Sequence, residues 1–263
     1  MHFAGDVMNE STINNSPLIS IVTATFNSER FIEKTYNSIL DQNVSDWEWI
    51  ITDDCSTDNT ISVLDEICMN DARVSYSINH VNSGAAISRN VSLSKCRGKF
   101  IAFIDSDDLW HANKLQKQIE FMSTTHDFSF TGYELIDESG DNLNVSVDTK
   151  PLEPIIYIDM LKKKATLGCS TVMLRREVFG DIQMPLLRTG QDYALWLKLL
   201  RNGATAHLLP EVLMKYRIVK NSISRNKIKK AKRQWQIYRK TEGIDIFRSS
   251  VYFIYYAIRA LAR

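Results

Sequence analysis

Three carboxylates follow one apolar run. In "FIDSDDLW" (103–110) Asp105, Asp107 and Asp108 come directly after "KFIAFI", a stretch of β-formers. The Asp105-Ser106-Asp107 spacing projects two carboxylates from one side of a strand end, with a small residue between them. Hard divalent cations such as Mg²⁺ or Mn²⁺ take oxygen ligands, and Mg²⁺ sites often combine one or two carboxylates with substrate phosphates. A surface turn whose Asp side chains cap the next helix would give the same letters. A second acidic strand end, "TDDCSTD" (52–58), offers Asp54. A carboxylate there can accept from a nucleobase N–H, and the following Ser, Thr and Asp can cap a helix. "NSGAAISRN" (82–90) adds Arg89, the cationic neighbour that a diphosphate requires. Asp192, near the start of "GQDYALWLKLLRNG", is either a general base or an ordinary helix N-cap.

The elements that must position these groups alternate. "PLISIVTATF" (17–26) reads as a buried strand, with Asn27 or Ser28 able to cap the helix in "ERFIEKTYNSILDQ". "WEWIIT" (47–52), a helix through Ile61, Leu64 and Ile67, "VSYSI", a helix started at Ser83, and "KFIAFI" follow. Strand and helix in alternation predict an α/β fold with a parallel, Rossmann-like sheet, whose ligands sit beyond the carboxyl ends of the strands. The second half is less regular. It predicts a helix in "HANKLQKQIEFM", a strand in "FSFTGYELID" and a strand running into a helix in "STVMLRREVF".

Composition narrows the class. The chain has 263 residues, 44% hydrophobic and 24% charged, enough for one large α/β domain or two small ones. Its four cysteines lie far apart without a CxxC pair, which suits a reducing compartment and argues against zinc. "MHFAGDVMNESTINNS" lacks the apolar stretch of a secretory leader, and no run reaches the length of a spanning helix. A cytoplasmic or membrane-peripheral protein is expected. The formal charge of +1 hides an asymmetry: residues 225–240 hold eight Lys or Arg and no acid, leaving the rest near −7. Beyond them Ile244, Phe247, Val251, Ile254, Tyr255, Ile258 and Leu261 keep a helical period. A cationic amphipathic helix suits an anionic membrane surface; packing on the domain is the alternative.

In order along the chain, "ISIVTATFNSERFIEKTYNSILDQ", "WEWIITDDCSTDNT", "NSGAAISRN", "FIDSDDLW", "TGQDYALWLKLL" and "YRIVKNSISRNK" resemble the successive blocks of family 2 inverting glycosyltransferases with the GT-A fold. Within that family the chain is most similar to bacterial enzymes that extend lipid-linked O-antigen or capsule repeat units. The resemblance implies a GT-A domain over 17–217, with a nucleotide-sugar half (17–110), an acceptor half (111–217) and a basic amphipathic tail (218–263). It implies a UDP-sugar site at Thr23, Ala24, Phe26, Asp54, Arg89, Asp105, Ser106 and Asp107. Asp54 would bind the uracil, Asp107 the Mn²⁺ or Mg²⁺, Asp105 the donor ribose or sugar, and Arg89 the pyrophosphate. Asp192 would be the general base, with Glu177 and Asp181 as fallbacks. The family commonly has Glu-Asp where this chain has Gln191-Asp192, so a contact made by the Glu is lost or changed.

The expected partners are a UDP-sugar, a polyprenyl-diphosphate-linked saccharide and, through the tail, the inner face of the cytoplasmic membrane; nucleic acid is not among them. Two other readings are weighed. A sugar-phosphate nucleotidyltransferase would need a Gly-rich basic loop after the first strand, which "TATFNSER" lacks. A nucleic-acid-binding module would rely on the basic tail alone, beside an acidic body.

Overall fold

The computed structural model describes residues 16–123, 125–219 and 227–261. The leader expectation for the first fifteen residues and the 220–226 part of the last sequence block fall outside them. One sheet runs through both halves, in the order β3-β2-β1-β4-β8-β6-β9-β5, with β7 added to β6.

The first half follows the predicted alternation: β1 (Ile19–Thr25), α1 (Ile32–Leu40), β2 (Trp47–Asp53), α2 (Thr60–Asn70), β3 (Val74–Ile78), α3 (Ala85–Leu93) and β4 (Phe100–Phe103). These four strands pair in parallel. β1 and β2 are covered on both faces, which is why they show no alternation of buried and exposed positions. Register sets the site: Thr25 lies opposite Asp53, and Val22 opposite Phe103. The chain beyond β4 therefore runs on beside the last residues of β1, and Ile104 N–H donates to the Val22 carbonyl at 3.1 Å.

The second half holds β5 (Leu109–Trp110), α4 (Lys114–Met122), β6 (Phe128–Ile136), β7 (Asn142–Val147), α5 (Tyr157–Leu161), β8 (Met173–Arg175), α6 (Gln191–Arg201) and β9 (His207–Arg217). β8 joins β4 and β6 antiparallel, and β9 joins β6 in parallel. Only a single 3₁₀ turn follows β8 where a helix was expected. β9, eleven residues long, was missed because Pro210 and Glu211 break the strand pattern, and pairing with β6 shifts register beside them.

The tail is part of the globule. α7 (Lys227–Gln236) runs into a π-helical turn, Ile237–Thr241, and then α8 (Ile246–Leu261) follows. Ile237 and Tyr238 are buried in the same core as Trp196 and Phe128, and the Tyr238 hydroxyl donates to the Leu161 carbonyl at 2.7 Å. The packing reading is right for that turn and for the Ser249 side of α8, since Ser249 is fully buried. The predicted apolar stripe faces outward instead: Phe247, Val251, Ile254, Tyr255 and Ile258 are all exposed. Among the described residues no helix is long and apolar enough to cross a membrane.

Candidate active site

At the end of β2 two adjacent acids do different work. Asp53 makes the turn: its carboxylate accepts from the N–H of Ser56 at 2.8 Å and from the Ser56 hydroxyl. Asp54 is buried and accepts three hydrogen bonds, from Asn79 Nδ2 (2.8 Å), Ser83 N–H (2.7 Å) and Gly84 N–H (2.7 Å). Gly84 has φ +89°, a conformation that L side chains rarely adopt, and this turns its N–H onto the carboxylate. Gly84, not Ser83, is the N-cap of α3. Of about four lone-pair positions on a carboxylate, one remains for a ligand at Asp54.

The loop after β4 is built around Ser170 and Arg217. The Ser170 hydroxyl accepts from the Asp105 N–H (2.9 Å) and donates to the Asp108 carboxylate (2.6 Å). Arg217, at the end of β9, donates its backbone N–H to Asp108 (3.0 Å) and its guanidinium to the carbonyls of Asp107 (2.8 Å), Asp137 and Glu138. The Ser106 hydroxyl pairs with that of Ser28 at 2.8 Å, and Thr35 donates to the Ser106 and Asp108 carbonyls. Asp108, Ser170 and Arg217 thus shape the loop that carries Asp105 and Asp107. Sequence reasoning gave none of them a role; the third acid of "DSDD" was the only visible signal.

Charge in this loop is not balanced by protein alone. Burial, and after it the Asp105 charge, pushes the Asp107 carboxyl up to about 6. Burial, then Asp107 and Asp105, holds Asp108 well above the usual carboxylate range. A cation would relieve that crowding, and the donors are hard oxygens. Among the described residues no three His, Cys, Asp or Glu side chains come together as a complete metal cage. The residues fit a divalent ion shared with a ligand's phosphates, with Asp107 and Asp105 as the protein's part.

Arg89 joins the two ends of the site. It is 5% exposed and ion-paired with Asp105, and its Nε and one terminal nitrogen are buried without partners. Burial opposes its charge, and the neighbouring Cys169, Asp105 and Asp192 together more than offset this, so the guanidinium stays protonated. Asp192 is half-buried in the first turn of α6 and makes no hydrogen bond or ion pair with any described residue. It is not the N-cap: that position is Gly190, at φ +76°. Gln191 beside it is buried, with Oε1 lacking a partner.

The other expected residues divide. Phe26 stands 47% exposed at the mouth, with Ala24 half-buried behind it. Thr23 has no exposed surface; its hydroxyl donates to the Ile104 carbonyl (2.8 Å) and accepts from Trp49 Nε1 (2.9 Å). Its side chain binds β1 to the loop after β4 and to Trp49. Asn27 and Ser28 do not cap α1, whose N-cap is Phe31; Asn27 accepts from the Thr57 N–H and holds the two strand-end loops together. Neither fallback base lies at the site. Asp181 is paired with Lys198, and Glu177 lies with Ser16, Pro17 and Leu18 at the opposite end of β1.

Comparison with known proteins identifies the family. Residues 20–183 match the sequence model described as "Glycosyl transferase family 2". The putative teichuronic acid biosynthesis glycosyltransferase TuaG of Bacillus subtilis (strain 168) is 44% identical over 251 residues, 95% of this chain and 98% of that protein. The UDP-Glc:alpha-D-GlcNAc-diphosphoundecaprenol beta-1,3-glucosyltransferase WfgD of Escherichia coli is 38% identical over 224 residues, 84% of this chain and 85% of its own. The structure of S. aureus TarS 1–349 in complex with UDP-GlcNAc superimposes with a TM-score of 0.69 at 22% identity, over 84% of this chain and 64% of that one. That of the mannosyltransferase PcManGT from Pyrobaculum calidifontis, in complex with GDP-Man and Mn²⁺, gives 0.67 at 17% identity, over 90% and 70%. The α/β sheet is of the GT-A kind, and the chain belongs to glycosyl transferase family 2.

Proposed function

We propose that this glycosyltransferase moves a hexose from a UDP-sugar, with inversion, to a hydroxyl of a polyprenyl-diphosphate-linked saccharide in the assembly of a surface polysaccharide. The observation that carries the reading is the unpartnered Asp192 carboxylate beside Arg89, which is itself paired with Asp105. Phosphate recognition and a free base thus meet across one buried guanidinium. The names of the relatives support the donor and acceptor classes: WfgD takes UDP-Glc and a diphosphoundecaprenol-linked sugar.

The residues then divide the work. Asp54 accepts from the uracil N–H with its remaining lone pair, and Phe26 lies beside the base. Asp105 contacts the donor ribose or sugar. Arg89, with two nitrogens free, donates to the diphosphate as negative charge builds on it. Asp107 and Asp105 would hold Mn²⁺ or Mg²⁺, which would supply positive charge to offset that of the leaving diphosphate. Asp192 takes the proton of the attacking hydroxyl on the opposite face of the sugar, because an alcohol is too weak an acid to attack unaided. A single displacement from that face inverts the anomeric centre. The outward stripe of α8 rests on the inner surface of the cytoplasmic membrane, where a lipid-linked acceptor is anchored.

The test is a transfer screen of UDP-sugars against synthetic lipid-diphosphate saccharides, with and without Mn²⁺. Metal-dependent product of inverted configuration is expected. Full activity after chelation removes the metal role, and transfer only from other nucleotides removes the UDP assignment.

A further inference from the structure

Beneath the C-terminal half of α8 lies a groove of about 560 Å³, walled by α7, α8 and the 163–166 loop. Four cations line it, Lys163, Lys230, Arg233 and Arg259, and no acidic residue among the described ones does. The rest of the lining is largely apolar, with Phe253, Ala257 and Ala260 on α8 and Ala165 on the loop. Arg259 frames one wall, tied to the Lys164 carbonyl and 3.5 Å from Asp148. Arg233 is less committed, since its Nε is buried with no hydrogen-bond partner. Positive charge beside hydrocarbon matches an amphiphile with an anionic head.

The groove reaches α6 at two points. Arg233 packs on Gly190 so closely that a Cβ there would lie 3.0 Å from its Cδ and Nε. Lys163 Nζ stands 3.3 Å from the centroid of the Tyr193 ring. Asp192 sits between those two residues in the chain. We propose that this groove binds the diphosphate and first isoprene units of the acceptor, which rests on the reading that the acceptor is lipid-diphosphate-linked. The attacking hydroxyl belongs to a sugar attached to that diphosphate, so the diphosphate has to be held near the base for the hydroxyl to be aligned. A membrane phospholipid carries no acceptor sugar and needs no such proximity. Its place is the opposite side of the same helix, where Phe247, Val251, Ile254 and Ile258 face outward while Phe253 and Ala257 face the groove. One helix therefore meets the bilayer with one face and the acceptor's lipid with the other.

Farnesyl diphosphate is the probe, titrated calorimetrically into the full chain. Ala257→Trp fills the groove and Lys230→Glu reverses a charge at its rim; thermal melting checks that each variant is folded. Each is expected to weaken farnesyl diphosphate by about tenfold or more, the loss of one charged hydrogen bond or its equivalent in packing. Farnesol and inorganic diphosphate should each bind more weakly than the intact probe. Unchanged affinity in both variants overturns the assignment. So does inorganic diphosphate binding as tightly as the probe, which would leave only an anion patch. Loss of binding to anionic phospholipid vesicles without loss of farnesyl diphosphate would make the occupant a phospholipid and also overturn it. If the wild-type chain binds the probe in the groove but transfers sugar to no lipid-diphosphate acceptor, the groove stands and the acceptor reading falls.

Discussion

Asp54 and Asp192 are both carboxylates at strand or helix ends facing the same site, yet their surroundings are opposite. Asp54 is saturated to within one lone pair by Asn79, Ser83 and Gly84. Asp192 makes no hydrogen bond or ion pair with any described residue, and the Arg89 guanidinium whose charge it supports has two nitrogens unsatisfied. At Asp54 the hydrogen bonds are spent on fixing loop against loop. Around Asp192 and Arg89 they are left unmet, and unmet polar groups in a buried place are expensive unless a ligand completes them.

The sharpest way to break this contrast is at Asp192. Asp192→Asn should lower transfer by about 10²–10⁴-fold, since an amide cannot take the acceptor's proton. Donor affinity should persist. Stability should fall by no more than about 0.3–1 kcal/mol, the worth of a charge in the first turn of a helix. Near-normal transfer in that variant would remove Asp192 as the base, and with Asp181 paired and Glu177 at the far end of β1 no fallback from the sequence would remain.

Asp54 should behave in the reverse sense. A sequence-only view expects Asp54→Ala to weaken uridine nucleotides more than it disturbs folding. The three donors seen here change that expectation, because removing the carboxylate strands two backbone N–H groups and an amide. Each unmet donor costs roughly 1–3 kcal/mol, so the melting temperature should drop along with UDP affinity. A variant with wild-type stability would show that the 79–84 loop relaxes without its anchor.

The α8 stripe gives a third comparison, between its outer and inner faces. Deleting the tail, the obvious experiment from sequence, would tear Ile237 and Tyr238 from the core. Phe247→Asp touches only the outer face, where Phe247 is 82% exposed. It should weaken binding to anionic vesicles by about 1.5–3 kcal/mol with no change in melting temperature. Sedimentation with vesicles at the wild-type level would mean that this face does not meet a membrane.

What the sequence disclosed follows from how locally each feature is specified. The β1–β2–β4 core was legible because strands covered on both faces read as largely apolar runs, interrupted only by buried polar residues such as Ser20, Thr23 and Glu48. The acids of "DSDD" and "TDD" announced the edge, and the family blocks attached roles to them. The sorting of those acids was not legible. Asp53 and Asp108 are structural and Asp105 and Asp107 face the site, and this depends on Ser170 and Arg217, which lie 62 and 109 residues from Asp108. Thr23 looked like a ligand contact because it lies at a strand end, yet pleat direction turns it inward to Trp49. β9 was lost to a proline that only its pairing with β6 explains.

The interior also contains a cost that pH can expose. Lys114, in the first turn of α4, is fully buried, with its ammonium over the Trp110 ring at 4.2 Å and bonded to Gln118. Burial pushes its pKa down to about 7 from an ordinary 10.5. The sign follows from proton counting. Between those two values the unfolded chain holds a proton on this lysine that the folded chain has released, so stability rises with pH across that window. Below pH 7 both states are protonated and the penalty is present in full. From pH 7 to 9 the wild-type chain should gain about 2 kcal/mol over a Lys114→Met variant, in which that titration is absent. Denaturant melts of both proteins at the two pH values read the difference directly, cancelling the other titrating groups they share. Parallel curves would mean that Lys114 keeps its proton inside the fold, and that its contacts with Gln118 and Trp110 offset the burial.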